Sequence, residues 1–264
     1  MQSIADNKPN VMCFSGLDPT GGAGIQADIE ALFSTGCHCL PIVTALTVQD
    51  TGNVMASHPT DPALLIAQAR AVLEDIPVQA FKIGLLGGIK TVEVIHTLLT
   101  DYPDIPVILD PILRAGGGYE FTSERIAEAI NALLLPLTTV VTPNTNELRA
   151  LAPNGDSFDA SANELLDRGC QHVLLTGTHA NSPKVINRLY TRHQPTRSYT
   201  WQRLEHEYHG SGCTLAAALA GYLAHGLQIN EAAQQAQRFT WESLNHGIRA
   251  GFGQLLPNRS HWNH

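Results

Sequence analysis

The sequence predicts an α/β fold, a mainly parallel central sheet with helices packed on its faces. Three observations predict it. Apolar runs of strand length alternate along the chain with segments of helical pattern. The strand runs are nearly continuous in apolar residues, as strands covered on both faces require. Hydrophobic residues make up 44% of the 264 and charged ones 15%, which suits a compact core and argues against disorder.

The elements follow in order. Residues 11–15 form the first apolar run, and a glycine-rich loop leads from it into a helix over 22–35. A second strand at 40–46 precedes a helix at 62–75, and the short apolar run 80–83 precedes a helix at 91–100. Strands at 107–110 and 139–142 flank a helix at 123–135, and a helix at 160–168 leads to a sixth strand at 172–176. Residues 185–191 and 196–201 are more polar and read as an antiparallel hairpin near a sheet edge. Helices at 212–224 and 231–249 close the chain. With no repeat, low-complexity tract or linker, residues 1–264 read as one domain with a core over about 10–255.

Ligands of such sheets collect at the carboxyl ends of the strands, where the informative residues fall. Ser15-Gly16-Leu17-Asp18-Pro19-Thr20-Gly21-Gly22-Ala23-Gly24 follows the first strand and fits neither a Walker loop nor a G-x-G-x-x-G fingerprint. It reads either as a tight strand-to-helix turn or, with Asp28 inside the next helix, as a pocket whose carboxylate faces the cleft to bind an amine or hydroxyl. Asp110-Pro111 reads as a turn or a ligand. Asn144-x-x-Glu147 reads as a capping box or, with Asp110 on the neighbouring strand end, as a carboxylate pair for hydrated Mg²⁺ beside a triphosphate.

The strongest signal is His209-Gly210-Ser211-Gly212-Cys213-Thr214 at the head of an alanine-rich helix. Glycines and serine there let backbone N–H groups face outward, and the positive helix end favours an anion. The same field is expected to stabilise a thiolate at Cys213 and bring it nearer neutral pH. Phosphate chemistry is the reading this turn suggests.

Composition narrows the class further. Sixteen Lys and Arg against 24 Asp and Glu give a net charge of −8 with no basic block, so a nucleic-acid partner is not expected. The five cysteines form no C-x-x-C pair, and Cys37-His38-Cys39 lacks further ligands for a metal. His206 and His209 lack a carboxylate at ligand spacing. The polar start of the chain and the absence of a long apolar run point to a cytoplasmic protein that does not contact membrane.

These residues resemble the hydroxymethylpyrimidine/phosphomethylpyrimidine kinases of thiamine biosynthesis, in the ribokinase-like superfamily. The likeness runs through residues 10–255. It is carried by the glycine motif through Asp28, by Thr44-Ala45-Leu46-Thr47-Val48-Gln49-Asp50-Thr51, by Lys82-Ile83-Gly84, by Thr142-Pro143-Asn144-x-x-Glu147, and by Gly210-Ser211-Gly212-Cys213-Thr214-Leu215. It implies a three-layer α/β/α sandwich and ATP-dependent phosphorylation of 4-amino-5-hydroxymethyl-2-methylpyrimidine to the monophosphate and then the diphosphate. Gly16, Asp28, Gln49 and Leu85 would line the pyrimidine pocket. Asn144, Thr176 and Gly177 would hold ATP, Asp110 and Glu147 would hold Mg²⁺, and Gly210, Ser211 and Gly212 would form the anion hole, with Cys213 as base. Relatives are often homodimers, and the hairpin region is the interface that analogy suggests. A pyridoxal or pyridoxine kinase and a non-catalytic pyrimidine-binding protein stay open as alternatives.

Three departures bear on the second step. Gly116-Gly117-Gly118, preceded by Arg114, stands where the family has Lys-Ser-Gly, and Thr176-Gly177-Thr178-His179 stands where it has Lys-Gly-Gly-His. Glu207-Tyr208-His209 replaces the Asn-Thr-His that leads into the anion turn. Two expected lysines are thus absent, with Arg114 as the nearby substitute and 114–119 as the candidate lid.

Overall fold

The computed structural model describes residues 8–114, 124–177 and 183–262. Gly116 to Gly118, Thr178 and His179, and all of the candidate lid except Arg114, lie outside the described residues.

Among the described residues nine strands form one sheet. In chain order they are β1 (Asn10–Leu17), β2 (His38–Gln49), β3 (Val54–Pro59), β4 (Ala80–Ile83), β5 (Val107–Leu109), β6 (Val140–Val141), β7 (His172–Leu175), β8 (Lys184–Thr191) and β9 (Arg197–Gln202). The order across the sheet is β3-β2-β1-β4-β5-β6-β7-β8-β9. The six strands from β2 to β7 in that order pair in parallel, and β3, β8 and β9 are antiparallel additions at the edges. The expected hairpin is therefore present, and β9 is an edge strand. β3 was not expected. Its sequence, Val54-Met55-Ala56-Ser57-His58-Pro59, has a short apolar start, turns polar at Ser57 and His58 and ends in proline, a composition that suits an edge strand.

Eight α-helices of the described residues cover the sheet: α1 (Gly24–Ser34), α2 (Pro62–Asp75), α3 (Ile89–Asp101), α4 (Glu124–Ala129), α5 (Thr145–Leu151), α6 (Phe158–Asp167), α7 (Ser211–Ala224) and α8 (Ile229–Asn245). The helix expected over 123–135 is composite, because α4 widens into a π-helical turn over Ile130–Leu134 before a 3₁₀ turn at Leu135–Leu137. Pro136 lies in that last turn and has no N–H to continue an α-helical ladder. The last helix also stops short of 249. Ile248 instead exchanges backbone hydrogen bonds of 2.8 and 2.9 Å with Leu256, which draws the C-terminal segment back over the molecule.

β1 shows why the fold has three layers. Met12 and Phe14 face the core beneath α2 to α6, while Val11 and Cys13 face the core beneath α1, α7 and α8, and all four are fully buried. α7 is covered on every side: each residue from Cys213 to Gly221 is buried. Its run of alanines is what such a position needs, since small side chains let it approach the sheet, α1 and α8 together. Among the described residues no helix is long and apolar enough to cross a membrane.

Candidate active site

The carboxyl ends of the parallel strands open into a cavity of about 1060 Å³. It is lined by every site residue proposed from sequence except Asp28 and Gly177. Gly16, Gln49 and Leu85 form one end. Asp110, Asn144, Glu147 and Thr176 lie toward the other, with the turn Gly210-Ser211-Gly212-Cys213 between them.

Local geometry places each part. Gly16 ends β1 against Leu85, and a side chain at 16 would sit 2.7 Å from the Leu85 Cδ2 atom. With glycine at 16, Leu85 closes over that end of the cavity in its present position; any side chain there would make Leu85 shift. At the head of α7, Gly210 has φ +86, a conformation that favours glycine, and a side chain there would run into the Gly22 carbonyl. The Gly210 carbonyl accepts from the Thr214 N–H at 3.0 Å and from the Thr214 hydroxyl at 2.8 Å. The amides of Ser211, Gly212 and Cys213 belong to the first turn, which has no intrahelical acceptors for them.

At Asn144 both sequence readings meet. Its side-chain oxygen accepts from the N–H groups of Asn146 and Glu147, and a Glu147 carboxylate oxygen accepts from the Asn144 N–H at 2.8 Å. This is a complete capping box, and it holds Glu147 at the cavity wall. Burial and the neighbouring Asp110 carboxylate push Glu147 up to about 8. Burial likewise pushes Asp110 up to about 6, against the opposing pull of Lys82 and a hydrogen bond from the Cys213 thiol. One oxygen of Asp110, Oδ2, is buried with no hydrogen-bond partner among the described residues.

Two expectations are corrected. Asp28 does not face the cleft. It is fully buried, accepts from the Ser15 hydroxyl at 2.5 Å, and lies 2.8 Å from the Lys82 ammonium through one oxygen and 3.0 Å through the other. The helical period turns Asp28 inward beneath the glycine loop, where Lys82 rises from the fully buried β4 to meet it. Gly177 also does not line the cavity, because its N–H donates to the Asn187 side chain at 2.9 Å and its backbone backs onto β8.

The Cys213 thiol is a third reversal. The helix field was expected to lower its pKa, yet burial pushes it up to about 12, with Lys82 pulling down and Asp110 and Asp28 adding to the rise. Desolvation outweighs the helix end here because the thiol is buried under the turn, with a relative exposure of 6%. Burial also opposes the charge on Lys82, but Asp28, Cys213, Asp110 and Cys13 together raise its pKa well above the usual lysine value.

Sequence reading missed three groups. Arg149 and Arg203 line the cavity beside the anticipated Arg114, so cations are present although the expected lysines are not. Lys82 was noted as a motif and not as the buried counter-charge of the site. His209, judged to lack a carboxylate, has one from a distant part of the chain: its Nε2 lies 2.8 Å from Asp18, 191 positions away. Asp18 also accepts from Thr20 and Ala23, and although burial works against its charge, the bonds from His209 and Thr20 hold its carboxyl below the usual range. No group of three metal-ligating side chains occurs among the described residues, at Cys37 to Cys39 or elsewhere.

Comparison with known proteins gives this geometry a context. A family model described as phosphomethylpyrimidine kinase matches residues 18–258. The hydroxymethylpyrimidine/phosphomethylpyrimidine kinase of Haemophilus influenzae is 32% identical over 264 residues, covering 97% of both chains. A bifunctional thiamine biosynthesis protein of Geobacter sulfurreducens is 35% identical over 87% of this chain, which spans about half, 48%, of that longer protein. Among solved structures, an ADP complex of Bacillus subtilis pyridoxal kinase superposes with a TM-score of 0.89 at 25% identity, over 97% of this chain and 99% of that one. A phosphomethylpyrimidine kinase from Clostridium difficile superposes with a TM-score of 0.78 at 28% identity, over 90% and 100%.

Two outcomes are expected of the isolated protein. Lys82→Met leaves Asp28 buried without its cation and should cost about 3–5 kcal/mol in urea unfolding. Lys82→Met combined with Asp28→Asn should restore at least half of that loss, and an unchanged single variant would refute the pairing. The second concerns pH. Asp110 and Glu147 have folded pKa values above their ordinary ones, about 6 and about 8, so the folded state binds protons more tightly. Their contribution to stability is full below the ordinary carboxylate range and is lost as pH rises through those two values. In metal-free buffer the urea midpoint should therefore fall over that window, and Glu147→Gln should flatten its upper part. A wild-type profile that rises there would contradict the assignment.

Proposed function

The chain belongs to the phosphomethylpyrimidine kinase family and is a kinase of ribokinase-like fold, and from that premise we propose that it phosphorylates 4-amino-5-hydroxymethyl-2-methylpyrimidine with ATP, first to the monophosphate and then to the diphosphate, in thiamine biosynthesis. The observation that carries this reading is the meeting of three parts in one cavity: a Gly16, Gln49 and Leu85 end, an anion turn at Gly210 to Cys213, and an acidic pair at Asp110 and Glu147. ATP as donor is supported by the nucleotide complexes of structural neighbours.

In this reading the pyrimidine ring packs under Leu85 with Gln49 on its polar edge, and Asp28 acts from behind, fixing Ser15 and Lys82 rather than touching the ring. The hydroxymethyl oxygen attacks the γ-phosphorus, and the bond from that phosphorus to the bridging oxygen of ADP breaks. The amides of Ser211, Gly212 and Cys213 face the charge on the transferring group, a stabilisation that phosphoryl transfer needs more than covalent chemistry. Cys213 takes the alcohol's proton in its thiolate form, the minor species with a pKa pushed up to about 12, and Lys82 is the neighbouring cation that favours that form. The second transfer begins from an anionic phosphate and needs no such base. For it, Arg114, Arg149 and Arg203 supply positive charge where lysines were expected.

Mg²⁺ fits the residues present. Asp110 carries an unpartnered buried oxygen, and a carboxylate whose charge raises the pKa of its neighbour Glu147 suits, with it, a hard cation that keeps waters and phosphate oxygens as further ligands. Asp110 and Glu147 would hold it, and bound there it would neutralise triphosphate charge. Asn144 and Thr176 border the same end and complete the ATP side of the proposal. We take the chain to be one kinase domain, acting as a cytoplasmic homodimer. Exposed Leu46, Val48 and Met55 on β2 and β3 support self-association at that edge, more strongly than Ile186 on the β8–β9 hairpin.

The test is a coupled ADP assay with monophosphate and diphosphate products resolved separately, run beside pyridoxal and pyridoxine. Turnover of both pyrimidines with a higher kcat/KM than either vitamin B6 alcohol is expected. No turnover of either pyrimidine at millimolar concentration would refute the proposal, and pyrimidine binding without ADP formation would make the chain a binding protein. Cys213→Ala should lower kcat for the alcohol about 100-fold or more, leave KM within about twofold, and affect the second transfer less.

A further inference from the structure

We propose that Arg259 is a positioning residue for phosphoryl transfer, holding the anion turn at the head of α7 against the glycine loop; this rests on the kinase reading of that turn. Arg259 lies just past residues 18–258, which the family model matches. It is nonetheless almost completely buried, at 2% exposure, and it does not line the cavity. An arginine so placed acts through its neighbours.

Those neighbours belong to the site. The Nε of Arg259 donates to the Thr214 hydroxyl at 2.9 Å, and that hydroxyl donates to the Gly210 carbonyl at 2.8 Å. The Nη2 donates to the Gly22 carbonyl, the same oxygen against which Gly210 is packed. The Nη1 donates to Glu30 at 2.9 Å and to the Gly21 carbonyl at 3.4 Å, and the Arg259 carbonyl accepts from Ser34 at 2.7 Å. One planar guanidinium thus spans both turns that the reaction must hold in register, which a lysine ammonium cannot do.

The chain through Thr214 has a geometric effect on the anion hole. In a trans peptide the C=O and the following N–H point in opposite directions. Fixing the Gly210 carbonyl back into the helix therefore aims the Ser211 N–H outward. On the cavity side, His209 and Asp18 make a second stitch between the same two turns. Arg259 is the stitch from behind, and transition-state donors misplaced by about 1 Å cost on the order of 100-fold in rate.

The test uses the full chain. Arg259→Ala and Arg259→Lys should each lower kcat for the pyrimidine alcohol about 10- to 100-fold with KM within about twofold. Glu30→Gln, which leaves the bonds to Thr214 and Gly22 in place, should stay within about twofold of wild type. Thr214→Val should reproduce the loss, and its combination with Arg259→Ala should be no worse than the poorer single variant, since both break one relay. Independently of turnover, hydrogen exchange at the Ser211 to Thr214 amides should quicken at least tenfold in Arg259→Ala, while α8 amides keep wild-type rates. Additive losses, a KM effect alone, or exchange that quickens equally in α8 would overturn the positioning role. If wild type shows no turnover the kinase reading fails, and unchanged exchange at α7 would then still refute the role of Arg259 on its own.

Discussion

The charge state of the site depends on one buried ammonium. Lys82 stands fully enclosed with Asp28 and Ser15 at hydrogen-bonding distance, and with Asp110, Cys213 and Cys13 close enough to raise its pKa. A buried cation that faces several acids keeps its proton, and it must, because unpaired charge in that setting costs several kcal/mol. The acids do not all keep their ordinary behaviour in return. Asp28 has the direct ion pair, while Asp110, Glu147 and Cys213 stand nearer their protonated forms. In the proposed function this region would take a divalent cation beside an anionic phosphate.

Backbone handles what the side chains cannot. In the proposed function a chain of net charge −8 would bind phosphate through oriented amides, with arginines brought in from α5 and the segment after β9. α7 makes this possible. Its alanines let it sit buried between two helices and the sheet, and its first turn lines the cavity. The glycine loop is the facing wall, and Leu85 from the end of β4 closes it.

What was legible in the sequence divides along physical lines. Strand and helix types were, because buried parallel strands are continuous in apolar residues and surface helices are periodic; Pro62–Asp75 and Ala80–Ile83 fall where the pattern put them. The convergence of Gly16, Gln49, Asp110 and Glu147 with the α7 turn was legible too, since strand ends of such sheets share one edge. β3 was not, because an edge strand need not be apolar. The fate of the Asp28 carboxylate depends on Lys82, 54 positions away, and the elevated Cys213 pKa depends on how deeply its turn is buried. Those are properties of packing and have no local signature. The pairing of His209 with Asp18 is the same case at longer range.

The C-terminal segment carries a consequence for how the molecule comes into being. Its backbone joins Thr51 through Gly253 and Gln254 and Glu207 through Leu255, and the Arg259 side chain reaches the glycine loop, 237 positions after its acceptor Gly22. Contacts that span so much of a chain form late, because long loops must close before they are rewarded. During synthesis the sheet and most of its helices can assemble while these residues are still inside the ribosome. The two turns that face each other across the cavity then stay unfastened until Arg259 is free to reach them. Assembly of the sheet and fastening of those turns are therefore separate events, set apart by the distance along the chain between Gly22 and Arg259.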